Sequence, residues 1–192
     1  MELDVERPTI LVFGGSQGAQ RLNTAVVESW KLMAQQSPSF QIIHITGERD
    51  FVRMEQAYRS VPMRSRLRPY CHTMPAAYAA ADLVLCRSGA STVAELIATR
   101  RESILVPFPY ASGNHQLFNA RILAEAGVAQ ILTENELTSE RLAALFKAML
   151  SSRSGKDLQF AFARLAEKVH TLDAAQRLAQ QVESLIPAQK LL

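Results

Sequence analysis

Short apolar runs alternate along the chain with longer stretches whose apolar residues recur at helical spacing. The first run, Thr9 to Phe13 (TILVF), stops at Gly14-Gly15; a helix is predicted from Gly18 to Gln36, broken at Ser37-Pro38. The run Phe40 to Ile45 ends at Thr46-Gly47 and is followed by a charged helical stretch, Glu48 to Arg59. A weaker strand over Arg66 to Cys71 leads into a short helix, Pro75 to Ala80. Leu83 to Cys86 reads as a strand, Ser91 to Thr99 as a helix and Ser103 to Phe108 as a strand. Asn114 to Ala126 reads as a helix stopped by Gly127, and Ala129 to Leu132 as a last strand. From Thr138 to Ile186 the pattern is helical, two or three helices with a hinge at Ser151 to Gly155.

The strand runs are continuous instead of alternating, as strands covered on both faces require. With the alternating order of strand and helix they predict an α/β domain with a Rossmann-like, doubly wound parallel sheet and a helical carboxyl-terminal tail. Such sheets bind ligands beyond the carboxyl ends of their strands. That rule selects the loops Gly14 to Gly18, Thr46-Gly47, Cys71 to Met74, Arg87 to Thr92 and Pro107 to Gln116.

Each of three loops admits a functional and a plain structural reading. GGSQGA (Gly14 to Ala19) lies between a strand and a helix, where glycines allow close backbone approach and the helix start favours an anion. It lacks the GxGxxG and P-loop spacings, and could equally be a tight turn. CRSGASTVAE (Cys86 to Glu95) repeats the strand–loop–helix arrangement, with Ser91 or Thr92 as a helix cap. Glu95 suits the vicinal hydroxyls of a ribose, or a bond to a backbone N–H three or four residues earlier in a capping box. PFPYASGNHQLFN (Pro107 to Asn119) brings Asn114, His115, Gln116 and Asn119 together; their amides suit sugar hydroxyls, or Asn114 caps the next helix. His44 reads as a packed core histidine, His72 as lining the site and His170 as exposed. Asp4 and Asp50 look isolated, and Asp82 begins a strand.

Composition narrows the class. The 192 residues are 48% hydrophobic and 20% charged, ordinary for one globular domain. Two cysteines without CxxC spacing, Cys71 and Cys86, argue against a disulfide framework and a zinc site, and for a reducing compartment. A net charge of +3 is not the footprint of a nucleic-acid binder, and Arg64, Arg66 and Arg68 read as a solvated face. No uncharged apolar window is long enough to span a membrane. Residues 1–8 read as an inter-domain linker or a chain boundary, not a signal peptide.

Taken together, LVFGGSQGAQRLN (Leu11 to Asn23), HITG (His44 to Gly47), ADLVLCRSGASTVAELI (Ala81 to Ile97) and LVPFPYASGNHQLFNA (Leu105 to Ala120) resemble the MurG family of peptidoglycan glycosyltransferases. The similarity runs in order over Thr9 to Leu132. It implies the GT-B architecture, two Rossmann-like domains around a cleft, with this chain (residues 9–192, helical tail from 138) as the carboxyl-terminal domain that binds UDP-GlcNAc. It further implies inverting transfer of GlcNAc to lipid I, forming lipid II in peptidoglycan synthesis.

By the resemblance, Ser16 contacts the donor nucleotide, flanked by Gly15, Gln17 and Gly18. Backbone groups at Cys71 read uracil. Ala90, Ser91 and Thr92, with Arg87 and Gly89 before them, meet the diphosphate and sugar. Glu95 holds the ribose, Gln116 the GlcNAc hydroxyls, and Asn119 is its neighbour. Ser91 stands where the family usually has leucine, and Asn114 and His115 depart from its pattern.

No catalytic base, metal or cofactor is implied in this chain. Base, lipid I and membrane contact belong to an amino-terminal domain with a GGTGGH loop, absent from this sequence. The implied location is the cytoplasmic face of the bacterial inner membrane, peripheral in the full-length protein, with no nucleic-acid partner. Alone, the chain is expected to bind donor weakly without turnover. Rival readings are the donor subunit of a split dolichol-pathway transferase, a UDP-GlcNAc epimerase of the same architecture, or a nucleotide-sugar-binding module without catalysis.

Overall fold

A computed structural model describes residues 3–15, 18–34, 39–151, 155–169 and 174–185. Strand β1 (Thr9–Phe13) is followed by α1 (Gln20–Ala34), β2 (Gln41–Ile45), a single turn of 3-10 helix (Glu48–Asp50), α2 (Phe51–Arg59), β3 (Ser65–Arg68) and α3 (Met74–Ala79). The second half comprises β4 (Leu83–Cys86), α4 (Ala90–Thr99), β5 (Ser103–Leu105), α5 (His115–Glu125) and β6 (Ala129–Ile131). A helical tail follows: α6 (Ser139–Ser151), α7 (Gly155–Val169) and α8 (Ala174–Leu185). The six strands form one parallel sheet in the order β3-β2-β1-β4-β5-β6.

Alternate side chains of one strand leave opposite faces of the sheet, and here both faces are covered. Ile10 and Val12 of β1 pack with Leu22, Val26 and Trp30 of α1, Met54 of α2 and Phe146 of α6. Leu11 and Phe13 pack on the other face with Tyr78, Leu96, Leu123 and Phe162 from α3, α4, α5 and α7. This is why TILVF is apolar at every position after Thr9: all five residues are buried. Trp30 anchors the tail, its ring edge-on to Phe146 of α6 at 6.5 Å and tilted against Phe40 at 5.6 Å. No residue of α8 is buried, and Leu178, Val182 and Leu185 are exposed on it.

The chain turns back at the sheet centre. β1 is paired on one side with β2 and on the other with β4, Phe13 level with both Ile45 and Cys86. The loops leaving β1, β2 and β4 therefore emerge side by side at one sheet edge, at the point where the strand order reverses.

Several predicted boundaries move. β3 ends at Arg68 instead of Cys71, with Arg66 and Arg68 exposed on this edge strand. β5 ends at Leu105; Val106 still donates to the Cys86 carbonyl at 2.9 Å, but Pro107 has no N–H to continue a ladder. Helix α4 ends at Arg100 in the left-handed region (φ 52), where the sequence offered no glycine. Asp4 and Asp50 are not isolated. The Asp4 N–H donates to Gln41 Oε1 at 2.9 Å and its carbonyl accepts from Gln41 Nε2 at 2.6 Å, tying the amino-terminal segment to the start of β2. Asp82 accepts the Thr9 N–H at 2.7 Å. The predicted break at Ser37-Pro38, His170 and most of the Ser151 to Gly155 hinge lie outside the described residues.

Candidate functional site

The loops at the switch point enclose an open cleft of about 670 Å³. It is lined by Gly14, Gly15, Gly18 and Ala19 of the first loop, Gln20 and Arg21 at the start of α1, Arg87, Gly89, Ser91 and Thr92 from the loop after β4 and the start of α4, and Phe108, Gln116 and Glu134. Ser16 and Gln17 lie outside the described residues. The glycine loop closes on itself by a Gly18 N–H to Gly15 carbonyl bond of 2.9 Å, both glycines having positive φ (75° and 94°).

The second loop delivers a helix start to the cleft. Helix α4 begins at Ala90 with Gly89 as its N-cap residue, and no side chain caps it. The expected caps Ser91 and Thr92 instead sit inside the first turn, two and three residues past the cap position. Among the first-turn N–H groups, those of Ala90, Ser91 and Thr92 have no intrahelical acceptor, which is the arrangement that receives an anion. Ser88 locks this loop to α5: its hydroxyl donates to the Gln116 carbonyl at 2.7 Å, and its carbonyl accepts from Asn119 Nδ2 at 3.1 Å. The Gln116 side-chain oxygen accepts the Phe108 N–H at 2.9 Å. Its Nε2 donors have no partner among the described residues, so the amide is oriented with its N–H groups available to a ligand.

Arg87 ties the loops after β4, β5 and β6 together. Its guanidinium donates to the Val106 and Pro107 carbonyls, both at 3.2 Å, forms an ion pair with Glu134, and lies over the Phe108 ring at 5.4 Å. Its side chain is only 11% exposed. Glu134 also faces Arg21 at 3.8 Å, so one carboxylate bridges two cations across the cleft.

Glu95 follows Ser91 by one helical turn on the same face of α4. It lies outside the cleft lining and is exposed. Its Oε2 accepts a hydrogen bond from the buried Tyr78 hydroxyl at 2.8 Å; six residues past the Gly89 N-cap, it forms no capping box. Cys71 is half-buried in the loop before α3. His72 is exposed, edge-on to Tyr70 at 4.9 Å. Asn114 is left-handed (φ 55) and makes no side-chain cap, and His115 Nδ1 meets only the Ser112 carbonyl, at 2.7 Å.

Residues 9–183 match the family model described as glycosyltransferase family 28 C-terminal domain. The chain belongs to that family. The family 28 domain is 42% identical over 185 residues, 96% of its length, to the Anaeromyxobacter protein named UDP-N-acetylglucosamine–N-acetylmuramyl-(pentapeptide) pyrophosphoryl-undecaprenol N-acetylglucosamine transferase. It is 36% identical over 92% of its length to the protein of that name from Elusimicrobium minutum. It covers 48% and 49% of those two proteins, so the chain spans about half the length of the curated relatives it matches. The crystal structure of Acinetobacter baumannii MurG superposes with a TM-score of 0.79 at 27% identity, over 94% of this chain and 51% of that one. The kitacinnamycin glycotransferase shares the fold, with a TM-score of 0.74 at 16% identity.

Beneath the family 28 domain's glycine loop lies a buried polar network. Asn23 Nδ2 donates to the Thr46 carbonyl and to Asp50 Oδ2, both at 2.8 Å, so its Oδ1 faces His44 Nε2 at 3.0 Å. His44 Nε2 must then carry the proton, and Nδ1 accepts from Tyr58 at 2.9 Å. Burial lowers the His44 pKa from 6.5 to about 3, against the opposing charge of Asp50. Burial alone would raise the Asp50 carboxyl; hydrogen bonds from Arg53 and Asn23 overcome it and hold the group below its ordinary value. His44 is thus a core histidine, as its strand pattern indicated, but one wired to the site loops.

Sequence reasoning missed Arg21, Glu134, Phe108, Ser88 and Tyr78. Glu134 had a signal: it follows β6 at the same carboxyl edge, one loop beyond the last inspected. Tyr78 had none, since a tyrosine on a short helix carries no mark of its partner. Among the described residues no cluster of His, Cys, Asp or Glu could hold a metal ion, and no helix is long and apolar enough to cross a membrane.

Proposed function

We propose that this domain binds UDP-GlcNAc and is the donor half of an inverting transferase that passes GlcNAc to lipid I, forming lipid II. The observation that carries the reading is the meeting of two glycine-bearing loops, Gly14 to Gly18 and Arg87 to Gly89, at the β1/β4 switch point with the free start of α4 between them. Negative charge gathers on the β-phosphate as UDP leaves. The first-turn N–H groups of Ala90, Ser91 and Thr92 and the dipole of α4 stabilise it without reorganisation. The loop of Gly15, Ser16, Gln17 and Gly18 contacts the donor nucleotide. Gln116, its donors turned outward, and Asn119 meet the sugar; Glu95 accepts from the ribose hydroxyls, and backbone groups at Cys71 read uracil. Arg87 acts through its ties to Glu134 and the β5 carbonyls, setting the width of the cleft.

This chain supplies no general base to the acceptor hydroxyl in the proposal. Base, lipid I and membrane contact come from the other half of the full-length protein, working at the cytoplasmic face of the inner membrane. Titration calorimetry with UDP-GlcNAc, UDP-GalNAc and TDP-glucose tests the reading. UDP-GlcNAc is expected to bind most tightly, and Glu95→Ala to weaken it by about 1.5–3 kcal/mol, the worth of a hydrogen bond to a charged group. Equal binding of the three ligands refutes the donor assignment. Transfer to lipid I by the purified chain alone refutes the division of labour.

A further inference from the structure

We infer that Tyr78 is a positioning residue for nucleoside recognition, its hydroxyl setting the carboxylate of Glu95 to receive the two ribose hydroxyls of a uridine diphosphate. The inference rests on the ribose reading of Glu95 proposed above.

Glu95 is exposed on the second turn of α4, where a free glutamate samples many rotamers. Ordering such a side chain for a ligand costs rotamer entropy. Here one oxygen is already held: the Tyr78 hydroxyl donates to Oε2 at 2.8 Å. The donor itself is packed in the core. Tyr78 is 1% exposed on α3, and its ring stands edge-on to Phe13 at 5.9 Å with an interplanar angle of 87°. Phe13 is the last residue of β1, directly before the glycine loop. The carboxylate is thereby indexed to the same sheet edge that sets the diphosphate cradle. Burial raises the Tyr78 phenol above its ordinary range, so it remains a donor. An ionised carboxylate offers about four lone-pair positions. Tyr78 occupies one, and Oε1 has no partner among the described residues, which leaves room for a vicinal diol.

The alternative is that Glu95 serves only to satisfy the buried phenol. The two are separated by NMR-detected titration of the chain with uridine diphosphate and with its dideoxy analogue, which lacks both ribose hydroxyls. Tyr78→Phe removes one oxygen and keeps the ring; a denaturation curve verifies its fold. It is expected to weaken uridine diphosphate about fivefold to tenfold, the effect of losing one ordering hydrogen bond, and to leave the analogue unchanged. In a Glu95→Ala background Tyr78→Phe is expected to have no further effect. Equal weakening of both ligands, or of neither, overturns the inference. If Glu95→Ala keeps the preference for uridine diphosphate over the analogue, the ribose reading itself has failed. If the unsubstituted chain binds neither ligand at millimolar concentration, the donor-site proposal falls and the inference with it.

Discussion

Gly18 is pressed against the carbonyl of Thr46: a Cβ at Gly18 would stand 2.4 Å from that oxygen, and the residue's φ is +75°. The glycine loop after β1 is thus seated on the loop after β2. Gly18→Ala is expected to destabilise the domain by about 3 kcal/mol, combining left-handed backbone strain with overpacking. Gly15→Ala is the control. It also has positive φ (+94°), but nothing lies within 4 Å of its Cβ position, and about 1 kcal/mol is expected. Urea midpoints of the two variants check the difference.

Asn23 donates to the same carbonyl. With its side chain removed, buried Thr46, Asp50 and His44 each lose a partner. Asn23→Ala is expected to cost about 2–4 kcal/mol, more than one hydrogen bond, because the groups left behind stay buried. Combined with Gly18→Ala the two losses should not add, since both release the Thr46 loop. Equilibrium unfolding of the single and double variants measures the coupling.

His44 gives the domain an acid-sensitive stability. Its folded pKa is about 3 against 6.5 unfolded. Above the unfolded value the group contributes no pH dependence. Below it the unfolded chain takes up a proton that the folded chain refuses. Stability therefore falls as pH drops from 6.5 towards about 3, by up to about 1.4 kcal/mol per pH unit. Denaturation at a series of pH values above the carboxylate range should show this slope, and His44→Gln should remove most of it.

Glu134 neutralises Arg87 where both side chains are 11% exposed. Glu134→Gln removes the counter-charge and leaves the Arg87 cation with carbonyls and the Phe108 ring, and a loss of about 1–3 kcal/mol is expected. Adding Arg87→Met should restore part of it, because the unpaired charge is removed as well. Thermal unfolding of the three proteins tests this. In the donor-site proposal the single variant also loosens the cleft wall, which weaker binding of UDP-GlcNAc would report.

The chain pattern carried the sheet. Continuous apolar runs at Thr9–Phe13 and Leu83–Cys86 mark strands that must face apolar layers on both sides, and the alternation with helices admits few arrangements other than a parallel doubly wound sheet. The loops at its carboxyl edge followed from that topology, as did the family from four motifs in order. Strand ends were less legible. Pro107 stops β5 only because the ladder partner there would need an N–H, and Arg100 closes α4 in a conformation no local signal marks.

What sequence could not supply is who touches whom. Glu95 reads as either ribose ligand or capping box until the helix start is known; α4 begins after Gly89, six residues before Glu95, and the carboxylate meets Tyr78, seventeen residues away. Asp50 looked isolated although Arg53, three residues on, pairs with it; its other partner Asn23 lies on α1, and Glu134 is joined to Arg87 across 47 residues. Local residue choice fixes periodicity, turns and which loops share a sheet edge, since these depend on neighbours in the chain. Side-chain orientation and the pKa of His44 depend on burial and on partners that only the packed sheet brings together.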